Sequence, residues 1–130
     1  MSSARSQAMW VAAAAAGLEV VTGAGLVVAP SLLAKLLFAS EMNASGDLVG
    51  RISGLVMLCL ALGCWPRAFK GEDRQTLAPL IALSLLVTVY LIYAGMGGVN
   101  VGLLLWPAAA THLVLTILLT RAWMSRREAR

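Results

Sequence analysis

Residues 76–96 have the sequence TLAPLIALSLLVTVYLIYAGM, an apolar run without a charged side chain. A helix needs about 20 such residues to cross a hydrocarbon core about 30 Å thick. Backbone polar groups cannot stay unpaired in lipid, and this run lacks the alternating pattern of a β-strand. A membrane-spanning helix is therefore predicted here.

Three further stretches are similarly apolar, at residues 8–29, 47–65 and 101–123. With 76–96 they predict an all-α fold, an integral membrane four-helix bundle that forms a single membrane domain over residues 1–130. Only 12% of the residues are charged and 60% are hydrophobic, whereas soluble domains average about 25% charged residues. This composition excludes an ordinary soluble enzyme, a disordered tail and a disulfide-stapled secreted module.

The net charge of +4 comes from basic residues between the apolar stretches, not from a continuous basic groove, so nucleic acid is not an expected partner. On one predicted side of the membrane lie Arg5, Arg67, Lys70, Arg74, Arg121, Arg126, Arg127 and Arg130. Only Lys35 lies in a connection on the other side. The positive-inside rule therefore predicts a bacterial inner-membrane protein with both termini cytoplasmic. Trp10, Trp65 and Trp123 fall at that same boundary, as an aromatic belt would.

The segment between the first two spans is PSLLAKLLFAS, at residues 30–40. Its leucines fall on one side and Ser31 and Lys35 on another, which predicts a short helix lying in the membrane interface. A kinked continuation of the first span is the alternative. A cleaved signal peptide is disfavoured, because Glu19 interrupts the first apolar run and Pro30 follows the best cleavage site.

Three ionisable residues stand inside the predicted spans: Glu19 and His112 near mid-membrane, and Arg51 near the outer end of its span. A charge at the bilayer centre costs about 2.5–3.5 kcal/mol, so each residue is expected to face the bundle interior and to have a partner. We predict that these residues form a buried polar network, or a site for a proton or a ligand.

A contact between Glu19 and Arg51 is the first expectation for this network. Glu19 lies on a stripe of small residues, and Gly50 and Gly54 form a GxxxG motif beside Arg51, so the two spans can approach closely. Asp47 competes for the arginine from one turn away and is also a plausible helix N-cap. If Asp47 takes Arg51, Glu19 lacks a counter-charge and is expected to be neutral.

His112 has two interpretations: a neutral imidazole hydrogen-bonded to a neighbouring helix, or a proton relay with Glu19. Pro107 is expected to open or kink the fourth span near Trp106. Three aromatic residues also have two interpretations. They either line a cavity or lie at the membrane interface: Tyr90, Tyr93 and Trp106.

The chain has no metal, phosphate or nucleotide motif, and Cys59 and Cys64 lie on different faces of one helix, as packing residues would. We therefore expect no cofactor, no metal and no enzymatic activity. The expected partners are membrane lipid and either a homo-oligomer or a larger membrane complex. The favoured function is a non-catalytic structural or accessory component, and the alternative is a proton-coupled small-molecule transporter that uses Glu19.

The run APSLLAKLLF at 29–38, followed by GDLVGRISGLVMLCLALGCW at 46–65, resembles the bacterial DoxX-like small membrane proteins. The resemblance covers about residues 17–65 and implies a four-helix membrane fold without a defined activity. The segment GLEVVTG, which carries Glu19, is similar to the first helix of the small multidrug resistance transporters and implies proton-coupled transport. The chain differs from that second family in two respects: Arg51 is expected close to the carboxylate, and His112 is present in the fourth span.

Overall fold

The computed structural model describes the chain over residues 3–70, 74–97 and 100–125. These parts form five helices: α1 (Ser3–Val28), α2 (Pro30–Phe38), α3 (Ala44–Lys70), α4 (Arg74–Met96) and α5 (Leu105–Ser125). Four of them, α1, α3, α4 and α5, are long and apolar enough to cross a membrane. The predicted all-α four-helix bundle is confirmed, and the chain is a multi-pass membrane protein.

The four long helices form two pairs. Helix α3 packs along α1, and α5 packs along α4, while the pairs meet mainly where α1 touches α5. Gly23 lies against Gly54, and Gly17 lies beside Trp65, so α1 and α3 run antiparallel. Helices α3 and α4 have little contact with each other, which leaves much of α3 facing outward.

The α1–α3 pair is held by a contact between backbones. A Cβ atom on Gly54 would lie 2.6 Å from the Gly23 carbonyl oxygen and 2.9 Å from the Val27 amide nitrogen. Only glycine permits this approach, and close approach is what drives helix association in lipid, where apolar side chains gain little from leaving the acyl chains. The close approach predicted at the GxxxG motif is therefore confirmed.

Helix α1 ends at Val28 because Ala29 leaves the helical conformation, with φ −143° and ψ 64°. A proline disfavours the helical conformation in the residue before it, and Pro30 then begins α2. Of the two interpretations of residues 30–40, a separate short helix is the one observed. It ends at Ala39, which adopts a left-handed conformation with φ 47°.

The last carbonyl groups of α2 are bound by the segment that precedes α5. The amides of Gly102 and Leu104 donate to the carbonyl oxygens of Leu37 and Leu36, at 2.9 and 2.8 Å. Gly102 is so close to the backbone of Leu36 that a Cβ atom there would overlap it. We call the end of the bundle that contains α2 the α2 end. We call the opposite end, where α1 begins and α5 ends, the Arg121 end.

Two local expectations were wrong. Asn43, not Asp47, caps α3, because its Oδ1 accepts a hydrogen bond from the Gly46 amide at 2.8 Å. Pro107 does not kink a span, because α5 begins only at Leu105 and so places the proline in the first helical turn. Amide groups in that turn have no intrahelical acceptor, so proline removes no hydrogen bond there.

Candidate functional site: a polar layer at mid-membrane

Glu19 is buried in the middle of α1, with 1% of its surface exposed. The small residues one turn away, Ala15, Ala16 and Gly23, are buried too, as the stripe in the sequence predicted. The carboxyl oxygen Oε2 has no hydrogen-bond partner. Since nearly all buried polar atoms in proteins are hydrogen-bonded, an unpartnered carboxyl oxygen requires an explanation.

His112 is the second buried ionisable residue and lies on α5, with 7% of its surface exposed. Its ring nitrogen Nδ1 has no hydrogen-bond partner. Thr116, one turn away, donates its hydroxyl to the backbone carbonyl of His112 at 2.8 Å and not to the ring. The imidazole therefore has an unpartnered nitrogen at Nδ1.

Glu19 and His112 lie at the same depth in the bundle. Ala8 on α1 and Ala122 on α5 line one groove at the Arg121 end, so they mark a common level on two antiparallel helices. At 1.5 Å per residue, Glu19 lies about 16 Å from Ala8 along α1, and His112 lies about 15 Å from Ala122 along α5. The register thus brings the carboxyl and the imidazole to one level.

Two hydroxyl residues of α4 lie at nearly the same level. Ser84 and Thr88 are 1% and 3% exposed, and Thr88 donates its hydroxyl to the Ser84 carbonyl oxygen at 2.7 Å. Gly95 of α4 lies beside Leu105 of α5. Thr88 precedes Gly95 by as many residues as His112 follows Leu105. Thr88 and His112 therefore lie at the same level.

We call Glu19, Ser84, Thr88 and His112 the polar layer. They are the buried polar or charged residues in the parts of the chain whose side chains the structure describes. The sequence analysis missed Ser84 and Thr88. Their spacing of four residues in an otherwise apolar span was the available signal, since it puts both hydroxyls on one helix face.

The polar layer separates two apolar clusters. Toward the α2 end, Leu91, Leu105 and Ala109 pack between α4 and α5. Toward the Arg121 end, a larger cluster joins all four long helices: Ala8, Ala12, Ala15, Cys64, Leu77, Leu80, Leu115, Leu119 and Ala122. The ionisable groups therefore sit between apolar groups, where an unpaired charge is expensive.

Arg51 does not reach Glu19, so the first expectation for the network was wrong. Its Nε donates to Asp47 Oδ2 at 3.2 Å, and its guanidinium also donates to the Val27 carbonyl oxygen at 2.7 Å. Asp47 in turn accepts a hydrogen bond from the Ser31 hydroxyl at 2.8 Å. Val27 lies about 12 Å along α1 from Glu19. Arg51 thus binds the end of α1, where the break at the next helix leaves carbonyl groups without helical partners.

Tyr90, Tyr93 and Trp106 lie on the outside of the bundle, with 62%, 73% and 49% of their surfaces exposed. The Trp106 ring packs over Gly95, where a Cβ atom would lie 3.0 Å from it. These outward positions do not fit the lining of a cavity beside Glu19. The three aromatic residues are therefore not part of the polar layer.

Cys64 belongs to the apolar cluster toward the Arg121 end, whereas Cys59 is exposed. Among the side chains that the structure describes, no three His, Cys, Asp or Glu residues are placed to hold a metal ion.

No family model, no curated protein and no solved structure matches this chain. The polar layer is therefore the feature of the molecule that bears on its function. It holds a carboxyl group and an imidazole at one depth, each with an open hydrogen-bonding atom. Both groups can take up and release a proton, and the two α4 hydroxyls can donate and accept hydrogen bonds beside them.

Proposed function

We propose that this protein is a proton-coupled carrier of a small molecule, with Glu19 as the proton-binding group and His112 as its proton-exchange partner. The observation that carries the proposal is the unpartnered Oε2 of Glu19, a residue with 1% of its surface exposed. A carboxyl group that served only to join helices would have its oxygen atoms hydrogen-bonded. An open acceptor at mid-membrane is instead available to a proton, a water molecule or a ligand.

The sequence favoured a structural role over this function. An ion pair between Glu19 and Arg51 would have supported that role. Arg51 binds Asp47 and the Val27 carbonyl instead, so that reason for a structural role no longer applies. Each residue of the polar layer has a task in the proposal. Glu19 holds the proton, His112 exchanges it, and the α4 hydroxyls supply hydrogen bonds at the same depth.

An infrared titration of the purified protein in lipid tests the proposal. The Glu19 carboxyl band, assigned with Glu19→Gln, is expected to change reversibly with pH in the folded protein and to shift in D₂O. His112→Gln is expected to displace the midpoint of that change. Arg51→Gln is the matched control and is expected to leave the midpoint unchanged, because Arg51 does not contact Glu19.

Two results would overturn the carrier. One is a Glu19 band that does not respond to pH, and the other is a band that does not shift in D₂O, since a carrier must let its proton exchange with water. A midpoint that moves in Arg51→Gln would instead support an ion pair between Glu19 and Arg51, and with it the structural role.

We further infer that the Arg121 end faces the cytoplasm, in the inner membrane of a bacterium. Basic residues at that end support this orientation: Lys70 ends α3, Arg74 begins α4 and Arg121 lies in the last turns of α5. Lys35 and Arg51 are the basic residues nearer the α2 end. A reporter fused to the C-terminus is expected to be active only in the cytoplasm, and activity on the outer side would contradict the orientation.

A second candidate function is a non-catalytic structural or accessory component. The observation that favours it is the outward apolar face of α3, which α1 covers along only one side. The exposed large residues on this face are Leu48, Val49, Ile52, Leu55, Val56 and Leu62. A stable complex in lipid nanodiscs that persists in Glu19→Gln, together with a Glu19 band that ignores pH, would favour this function over the carrier.

A further inference from the structure

A groove of about 510 Å³ lies between α1 and α5 at the Arg121 end. Its floor is formed by Ala8 and Ala122, which are 4% and 9% exposed. Larger side chains at these positions would fill the space, so the groove results from the alanine on each helix. Ala8 and Ala122 lie about 15 Å from the polar layer along their helices, and no residue of that layer lines the groove.

The walls of the groove change from polar to apolar with depth. Gln7, Arg121 and Ser125 lie toward the end of the bundle, while Val11 and Leu118 lie about one turn further in. Both helices show the same order, although they run in opposite directions. A phospholipid in a bilayer has this arrangement as well, with its charged headgroup at the surface and its acyl chains inside.

Arg121 provides the charge of the groove. Its side chain is exposed and forms no ion pair or hydrogen bond with any residue that the structure describes. The guanidinium group presents a fork of N–H donors that matches the oxygen atoms of a phosphate. No carboxylate lies among the described residues that line the groove, so a cationic headgroup amine would find no counter-charge there.

We propose that this groove binds an anionic phospholipid from the leaflet at the Arg121 end. The phosphate lies against the Arg121 guanidinium, with the Gln7 amide as a second donor, and one acyl chain follows Val11 and Leu118. The binding involves no covalent step. It depends neither on the proton-coupled function nor on which side of the membrane the Arg121 end faces.

Native mass spectrometry of the full-length protein in mild detergent tests this site. Phosphatidylglycerol is expected to bind as one molecule per chain, more tightly than phosphatidylcholine with the same acyl chains. Arg121→Gln is expected to weaken phosphatidylglycerol binding about fivefold, which is the effect of one basic residue near an anionic lipid surface. Arg121→Lys keeps the charge and is expected to retain most of the binding.

Lys35→Gln is the matched control, because it removes one exposed basic charge at the α2 end. An equal loss in Lys35→Gln would mean attraction by the overall charge and would overturn the site. Unchanged binding in Arg121→Gln would overturn it as well. Displacement of the lipid by inorganic phosphate alone would show that the groove takes free phosphate, against the proposal. Circular dichroism of each variant checks that the bundle is folded.

Discussion

The two helix pairs of this bundle are joined by different kinds of contact. In the α1–α3 pair the backbones meet at Gly23 and Gly54. In the α4–α5 pair side chains fill the space, with Leu91, Leu105 and Ala109 clustered between the helices. Leaving lipid gives apolar side chains little advantage, so both pairs depend on close packing. Around Gly54 the nearest atoms include the backbone of α1, whereas the atoms nearest Gly95 belong to the Leu105 and Trp106 side chains, which can move aside.

This difference predicts how each pair responds to added volume. A side chain can change rotamer to make room, at a cost of about 0.5–1.5 kcal/mol when it leaves a rotamer minimum. A carbonyl oxygen in a helix cannot move unless the whole helix moves. We therefore expect the α1–α3 pair to be sensitive to a single methyl group and the α4–α5 pair to tolerate one.

Gly54→Ala is expected to have the largest effect, lowering the free energy of unfolding by about 2 kcal/mol. The added Cβ atom would overlap the Gly23 carbonyl oxygen, so α1 and α3 must move apart. Gly63→Ala is the matched control on the same helix, because nothing lies within 4 Å of its Cβ position. Alanine is the better helix former, so the control is expected to gain up to about 1 kcal/mol.

Unfolding by SDS in mixed micelles, followed by circular dichroism, measures both variants. If Gly54→Ala were as stable as Gly63→Ala, the contact between the α1 and α3 backbones would not be the basis of that pair.

Gly95→Ala tests the comparison from the α4–α5 side. Its Cβ atom would lie 3.0 Å from Leu105 Cδ2 and 3.0 Å from the Trp106 ring, and both are side chains that can shift. We expect a loss of about 0.5–1 kcal/mol in the same unfolding assay, with a change in tryptophan fluorescence as the ring moves. A loss as large as that of Gly54→Ala would remove the distinction between the two pairs.

Arg51→Gln is expected to have an effect on the fold of about the same size as Gly95→Ala. It removes the hydrogen bond to the Val27 carbonyl oxygen at the end of α1, a loss of about 1 kcal/mol. In the double variant with Glu19→Gln, the two losses are expected to add within about 0.5 kcal/mol, because the residues share no contact. A coupling energy well above that value would indicate that Glu19 and Arg51 interact after all.

The long helices could be predicted from the sequence because the thickness of the hydrocarbon core fixes the length of a span. The partner of Arg51 could not be predicted from the sequence. Spacing placed Arg51 near the outer end of its span and beside a glycine motif that faces α1, but it did not show which acceptor lies there. That acceptor depends on the break at Ala29, which leaves the Val27 carbonyl within reach of the arginine.

The polar layer was predicted only in part. Glu19 and His112 could be identified because an ionisable residue inside a span is conspicuous. The spacing of Ser84 and Thr88 put both hydroxyls on one helix face, but a hydroxyl residue in a span can also bond to its own helix and face lipid. Whether that face is buried depends on the rotation of α4 against its neighbouring helices.

The tie between α2 and the start of α5 has a mechanical consequence. Only Ala29 separates helix α2 from α1, and the last carbonyl groups of α2 are bonded to the amides of Gly102 and Leu104. Any rocking of one helix pair on the other must carry α2 along or break these two bonds. The two helix pairs are thus connected at both ends of the bundle, by these two backbone hydrogen bonds at the α2 end and by the apolar cluster of all four long helices at the Arg121 end.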